Sequence, residues 1–260
     1  MTTTLADLSP EQLQRVLDLP VDDLEELICR SHLGEWTQRK ARLDMSPLHW
    51  EWCELRMHAK RLAVIAPREH AKSETFTVNG TVWESTYTPG LWTYIFAQTG
   101  DQAKKMLAKI VQVTKATAPW LLEGPNVRLN STHVTFSNYA MVDTAGSGKA
   151  TRGVHPDVII GDDVLEEGSC STAMQRKRVE RWWFGAVGGM AHPGTKRLVG
   201  EGDNAMELWM PPSKVFLVGT PFHQQDLLMN MKKNPVYRFR RYAAEFHPTD
   251  LQDGLAVEIG

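Results

Sequence analysis

Two short stretches carry residues whose types and spacing could handle phosphate. The first is "AVIAPREHAKSETF" (63–76), in which an apolar run leads into a polar loop and then Lys72 and Ser73. A phosphate-binding loop must follow a buried strand, open a helix, and supply a lysine for phosphate followed by a hydroxyl for magnesium. This stretch meets each positional demand, but Ala66 and Ala71 stand where the pattern has glycine. Alanine is the smallest substitute, and the second position is expected to accept it in helical dihedrals because the helix begins there. The same residues also suit an ordinary strand–loop–helix turn with Arg68, Glu69 and His70 at the surface.

The second stretch is "DVIIGDD" (157–163), an apolar run ending in two carboxylates. Hydrolysis of a nucleoside triphosphate needs a carboxylate near the metal and a group that orients water. Asp162 suits the metal side and Asp163 the base, with Glu166 and Glu167 as competitors because Asp163 is one methylene shorter than the more common Glu. A strand ending in Asp-Asp can also be plain strand-end solvation; the pairing with the 66–74 loop is what gives it weight.

A third stretch, "DTAGSGKATRG" (143–153), keeps a Gly-Lys pair but fails otherwise. Ala150 replaces the magnesium hydroxyl, Asp143 sits at the first glycine position, and no good helix follows before residue 157. It reads as a flexible loop.

The elements that must position these residues alternate. "SPEQLQRVLDLP" has Ser9 as N-cap and Pro10 at the first helical position, "DDLEELICRSHL" gives a second helix, and Ser46-Pro47 opens a third. Residues 1–58 thus read as a helical lead-in, and 59–260 as the catalytic domain. Strands are expected over 61–66, 91–98, 157–163 and 213–220, with shorter ones in "HVTFSN" and "YAMVD". Helices are expected from Ser73, over 100–117, and in "STAMQRKRVERWWFGAV"; residues 188–212 read as a surface excursion. Continuous apolar strands alternating with helices imply an α/β fold with a mostly parallel sheet covered on both faces.

Composition narrows the class. The 260 residues carry a formal net charge of −2, so DNA contact must come from local patches rather than a global basic field. Cys29, Cys53 and Cys170 are far apart, which suits a reducing cytoplasm and argues against a zinc cluster or disulfide framework. No run reaches the apolar length of a membrane span.

Over residues 45–245 these motifs, in this order, resemble the ATPase domain of the large terminase subunit of tailed bacteriophages. "APREHAKSE" is similar to the glycine-poor phosphate loop of some terminases. "IFAQTGDQAKKML" looks like their second strand–helix unit, "ATRGVHPDVIIGDD" like their arginine loop and acidic strand, and "FLVGTPFHQQDLL" like their coupling motif. The resemblance implies a P-loop NTPase fold of the RecA-like (ASCE) kind that uses ATP and Mg²⁺. It implies that Arg68, Glu69, His70, Ala71, Lys72, Ser73 and Glu74 cradle the nucleotide, with Lys72 on the β- and γ-phosphates and Arg68 against them. Ser73 and Asp162 would serve the metal, Asp163 (or Glu166) the water, and His49 the adenine. Arg152 matches the arginine that such motors insert into a neighbour's site; on its own it reads as a solvated loop charge. Gly219 and Thr220 would couple hydrolysis to movement.

The partners so implied are double-stranded DNA, a portal protein, a small terminase subunit and further copies in a ring on the procapsid, in the host cytoplasm. Terminases also carry a nuclease domain; the residues after the coupling motif are too few to build one, and no nuclease activity is expected from this chain. Basic clusters available for DNA are Lys104, Lys105 and Lys109; Arg176, Lys177, Arg178 and Arg181; and Lys232, Lys233, Arg238, Arg240 and Arg241. Each suits a solvated helix face equally well. A helicase-like motor and a non-enzymatic nucleotide-binding assembly module remain as alternative readings.

Overall fold

The computed structural model describes residues 9–149, 153–200, 202 and 205–243. Four helices come first: α1 (Pro10–Leu17), α2 (Val21–Ser31), α3 (Leu33–Arg39) and α4 (Pro47–His58). Then follow β1 (Arg61–Ile65), a π-helix (Ser73–Asn79) continuing into α5 (Gly80–Tyr87), β2 (Trp92–Ala97) and α6 (Gly100–Thr117). Three strands come next, β3 (Arg128–Leu129), β4 (His133–Thr135) and β5 (Met141–Gly146), then β6 (Val158–Asp162), α7 (Glu167–Cys170) and α8 (Ala173–Arg181). A second π-helical turn (Trp182–Val187) leads to β7 (Thr195–Val199), β8 (Met206–Met210), β9 (Lys214–Gly219), α9 (Leu227–Asn230) and β10 (Arg238–Arg241).

Eight strands form one sheet in the order β10-β1-β9-β6-β2-β5-β4-β3. The six from β10 to β5 are parallel, and β4 and β3 run antiparallel at one edge. Its central strands β1, β9, β6 and β2 are mostly apolar because both faces are covered. Along β1, Leu62 and Val64 enter one core with Trp52, Phe76 and Phe216, while Ala63 and Ile65 enter the other with Phe96, Trp183 and Leu217. That alternation is the period-2 pleat, with a helical layer against each side. Trp36 and Cys53, from α3 and α4, belong to the first core, so these two lead-in helices share it with that face of the sheet.

The expected parallel α/β sheet is present, with four local differences. The second helix ends at Ser31, and His32 starts α3 instead, its Nδ1 accepting from Gly34 N at 2.9 Å. The helix from Ser73 opens as a π-helix, a form that recurs at functional sites. The excursion at 188–212 contains the β7–β8 hairpin, anchored by Arg197 and His192 on the buried Asp157. The "YRFRRY" segment supplies a sixth parallel strand, β10, beside β1. No helix among the described residues is long and apolar enough to cross a membrane.

Candidate nucleotide site

The sheet register brings the candidate motifs to one edge. β9 lies between β1 and β6, pairing Ile65 with Gly219 and Asp162 with Val218. The 66–72 loop, the Asp162-Asp163 pair and Gly219-Thr220 therefore leave the carboxyl ends of three adjacent strands. Open α/β sheets bind ligands at such ends.

The two alanines at glycine positions have different situations. Ala66 extends β1, its N–H donating to Gly219 O at 3.3 Å, and its methyl is buried in the core. Ala71 has φ 54°, and Glu69 has φ 66°. The sequence reading placed Ala71 in helical dihedrals; its backbone is in the left-handed region that glycine favours, at a cost to alanine of roughly 1–2 kcal/mol. Ala71→Gly is therefore expected to leave stability unchanged or raise it by up to about 1 kcal/mol, after the unfolded-chain entropy that glycine adds is subtracted. Chemical denaturation tests the sign; a loss of ~1 kcal/mol, as for glycine inside a helix, would contradict this.

Lys72 is buried, its Nζ donating to Pro67 O at 2.8 Å and to Thr220 Oγ1 at 3.3 Å. Ser73 Oγ donates to Asp162 Oδ1 at 2.8 Å, and Thr77 Oγ1, one turn on, donates to Asp162 Oδ2. Burial pushes the Asp162 carboxyl up to about 6; the Thr77 hydroxyl opposes this and the neighbouring Asp163 charge adds to it. A hydroxyl beside a buried carboxylate suits Mg²⁺, which takes few protein oxygens and keeps water and phosphate for the rest. Among the described residues no group of three or more His, Cys, Asp or Glu could hold a metal by itself. Ser73 and Asp162 thus fit an ion brought with a phosphate ligand.

The raised Asp162 pKa has a stability consequence of definite sign. Its folded value, about 6, lies above the 3.8 of the unfolded group. The folded chain therefore binds more protons between these values, and this contribution to stability is full below 3.8 and lost as pH rises through about 6. Asp162→Asn is expected to gain stability over wild type at pH 7.5 without metal, the gap closing toward pH 4. Urea denaturation at the two pH values checks this; a gap independent of pH would contradict it.

Asp163 has φ 45°, and its Oδ1 accepts from Thr220 N at 3.0 Å. A side chain at Gly219 would place its Cβ 3.0 Å from that oxygen, so glycine permits the close approach of β9. A cavity of 290 Å³ is lined by Ser73, Asp162, Asp163, Gln102, Lys105 and Lys109, among others. His49 caps α4 through Nδ1 and reaches the loop through Nε2, 3.3 Å from His70 O. His70 Nδ1 lies 2.8 Å from Arg68 O, and the Arg68 guanidinium stands 5.6 Å from the Phe222 ring centroid.

Two of the expected residues stand apart from this group. Glu74 pairs with Lys109 on α6. Glu166 is exposed, accepts from Gln98 Nε2 at 2.8 Å and lines a different cavity, with Ser147, Arg178 and Trp182. Arg152 lies outside the described residues. In the "DTAGSGK" stretch, Asp143 is inside β5 with its carboxylate taken by His133 and by Trp92 Nε1, so the Gly148-Lys149 turn has no phosphate-loop geometry. Sequence reasoning missed Thr77 and Gln98. The four-residue spacing of Ser73 and Thr77 could have signalled one helical face carrying two hydroxyls.

No family model matches the chain, and no curated protein matches it. Solved structures do. A substituted form of the large terminase ATPase domain of Thermus phage P74-26 is 14% identical, with TM-score 0.52, and the match covers 86% of each chain. The unsubstituted domain is 17% identical with TM-score 0.48, over 78% of this chain and 70% of that one. The large terminase of another thermophilic bacteriophage is 10% identical with TM-score 0.43, over 84% of this chain and 44% of that one. At these identities the likeness concerns architecture: the chain has the fold of a phage large terminase ATPase domain.

Proposed function

We propose that this chain is the ATPase motor of a phage large terminase, using ATP hydrolysis to drive double-stranded DNA into a procapsid. The observation that carries the reading is the Ser73–Asp162 hydrogen bond of 2.8 Å. It joins the strand–loop–helix lysine unit to the acidic strand at one sheet edge, as a metal-assisted phosphoryl site requires. Bound Mg²⁺ would neutralise charge developing on the transferred phosphoryl group. Lys72 would exchange Pro67 O and Thr220 Oγ1 for phosphate oxygens. Asp163 would orient the attacking water, with Glu166 the longer-reaching alternative; Arg68, Glu69, His70 and His49 would close around the nucleotide.

Coupling has a physical route. Thr220 touches both Lys72 and Asp163, so loss of phosphate from Lys72 alters the hydrogen bonds at the end of β9. Arg152 is proposed to complete a neighbour's site, which makes hydrolysis depend on a ring. The portal protein and small subunit, the basic clusters as DNA contacts, and action in the host cytoplasm belong to the same proposal. The test is steady-state ATP hydrolysis across protein concentration, with Arg152→Ala alongside. Turnover per chain that rises with concentration and collapses in Arg152→Ala is expected. Concentration-independent turnover that survives the substitution removes the trans arginine, and nucleotide binding without turnover under any condition favours an assembly module.

A further inference from the structure

Helix α6 presents two unlike faces. Ala103, Leu107, Ile110 and Thr114 are buried, whereas Gln102, Lys105 and Lys109, three and four residues apart, line the 290 Å³ cavity that also holds Ser73, Asp162 and Asp163. Two of those three are already engaged. Gln102 caps its own helix, its Oε1 accepting from Thr99 N at 3.3 Å and its Nε2 donating to Gln98 Oε1 at 3.1 Å. Lys109 is paired with Glu74. Lys105 is exposed and has no ion-pair or hydrogen-bond partner among the described residues.

The surroundings of Lys105 divide its side chain. It also borders an apolar groove with Leu107, Val111 and Leu129, a wall that suits the methylene stem of a lysine and leaves the ammonium to the polar side. On that side stand the carboxylates of Asp162 and Asp163. They would repel the phosphates of a DNA duplex, whereas a nucleotide brings Mg²⁺ to neutralise them. The metal also says which part of a nucleotide would come here. An ion held by Ser73 and Asp162 bridges the β- and γ-phosphates. Both of those residues line the cavity, while Lys72 and Arg68 do not. A diphosphate ends at the metal, and only a third phosphoryl group extends past it.

We propose that Lys105 is a γ-phosphate contact supplied by α6 of the same chain. It makes the site prefer a triphosphate over a diphosphate and stabilises the charge on the transferring group. The inference rests on the nucleotide reading of this site, and it takes Lys105 out of the cluster offered to DNA.

The test is calorimetric titration of ADP and of the β,γ-imido analogue of ATP, each with Mg²⁺, into the full chain. Lys105→Ala, Lys105→Gln and Lys105→Arg are run in parallel, all on an exposed helical face. Wild type is expected to bind the analogue more tightly than ADP. Alanine and glutamine should weaken the analogue roughly tenfold or more while leaving ADP within about twofold. Arginine, which keeps the charge, should retain more of the preference than either. A preference that survives in Lys105→Ala, an equal loss for both nucleotides, or a wild type without any preference overturns the inference and leaves the site standing. Wild type that binds neither nucleotide overturns both. Weakened duplex binding by Lys105→Ala with the nucleotide preference intact gives the lysine to DNA and overturns the inference as well.

Discussion

Lys72→Ala is expected to lower ATP turnover by about 10²–10³ or more, the scale for losing one preorganised charge-stabilising donor in an active site. The reason is placement rather than residue type. The Lys72 ammonium is buried within the loop, beside Thr220 Oγ1, and its charge eases the ionisation of Asp162. In such surroundings a charge acts with little solvent screening. The expected stability change is small by comparison, because the two partners of Nζ, Pro67 O and Thr220 Oγ1, sit at a partly open edge where water can replace it. Saturating-ATP kinetics and thermal melting of the same preparation separate the two effects. A variant with turnover within tenfold of wild type would remove Lys72 from the chemistry. Thr220→Val is a useful comparison: it takes one acceptor from Lys72 but leaves the Asp163 bond to the Thr220 backbone, and its effect should be smaller.

How much of this was legible in the sequence depends on whether the signal was local. Helix α6 announced itself through periodicity and was read at its observed bounds, 100–117. The buried strands β1, β2, β6 and β9 were legible because both faces of a parallel sheet are apolar, so each reads as an unbroken run. The convergence of Lys72, Ser73, Asp162 and Thr220 was also inferable, since each ends or follows such a strand. What escaped depended on partners distant in sequence. His32 as the cap of α3 carries no Ser, Thr or Asp signature, and its ring is held from the other side by Glu54 at 2.6 Å. The left-handed φ of Ala71 belongs to the path from β1 into the helix, and an alanine at that position does not reveal it. Strand β10 is rich in arginine because it is an edge strand, which hides the apolar run used to find the others.

Nor did the sequence reveal the buried charges that hold the site's support together, and here the largest stability effect is expected. Glu84→Gln should destabilise the chain by about 3–5 kcal/mol, the scale for removing one partner of a buried ion pair. Arg56 donates Nη1 to Glu84 Oε1 at 2.8 Å and Nη2 to Oε2 at 2.7 Å, with both side chains almost wholly buried. Its Nε donates to Phe76 O at 3.0 Å, and its guanidinium lies 4.4 Å from the Phe216 ring centroid. Lys214 Nζ adds a bond to Glu84 Oε1 at 3.1 Å. One carboxylate thus ties α4, α5 and the start of β9. Gly80 makes room for it, since a Cβ there would stand 2.8 Å from Arg56 Nε. Burial alone would raise the Glu84 carboxyl, but the Arg56 and Lys214 charges overcome burial and hold it below the ordinary range. A depressed acid contributes stability that is present above its unfolded value and lost as pH falls through the folded one, so the wild-type advantage over Glu84→Gln should shrink in acid. Urea denaturation at pH 7 and in acid measures both. A loss under about 1 kcal/mol at pH 7 would mean the pair is exchanged for water at little cost, as exposed pairs are. A loss of the expected size would leave Arg56 as the uncompensated charge, and the double variant Arg56→Met/Glu84→Leu should then recover most of it, because the cost lies in stranding one ion rather than in lacking the pair.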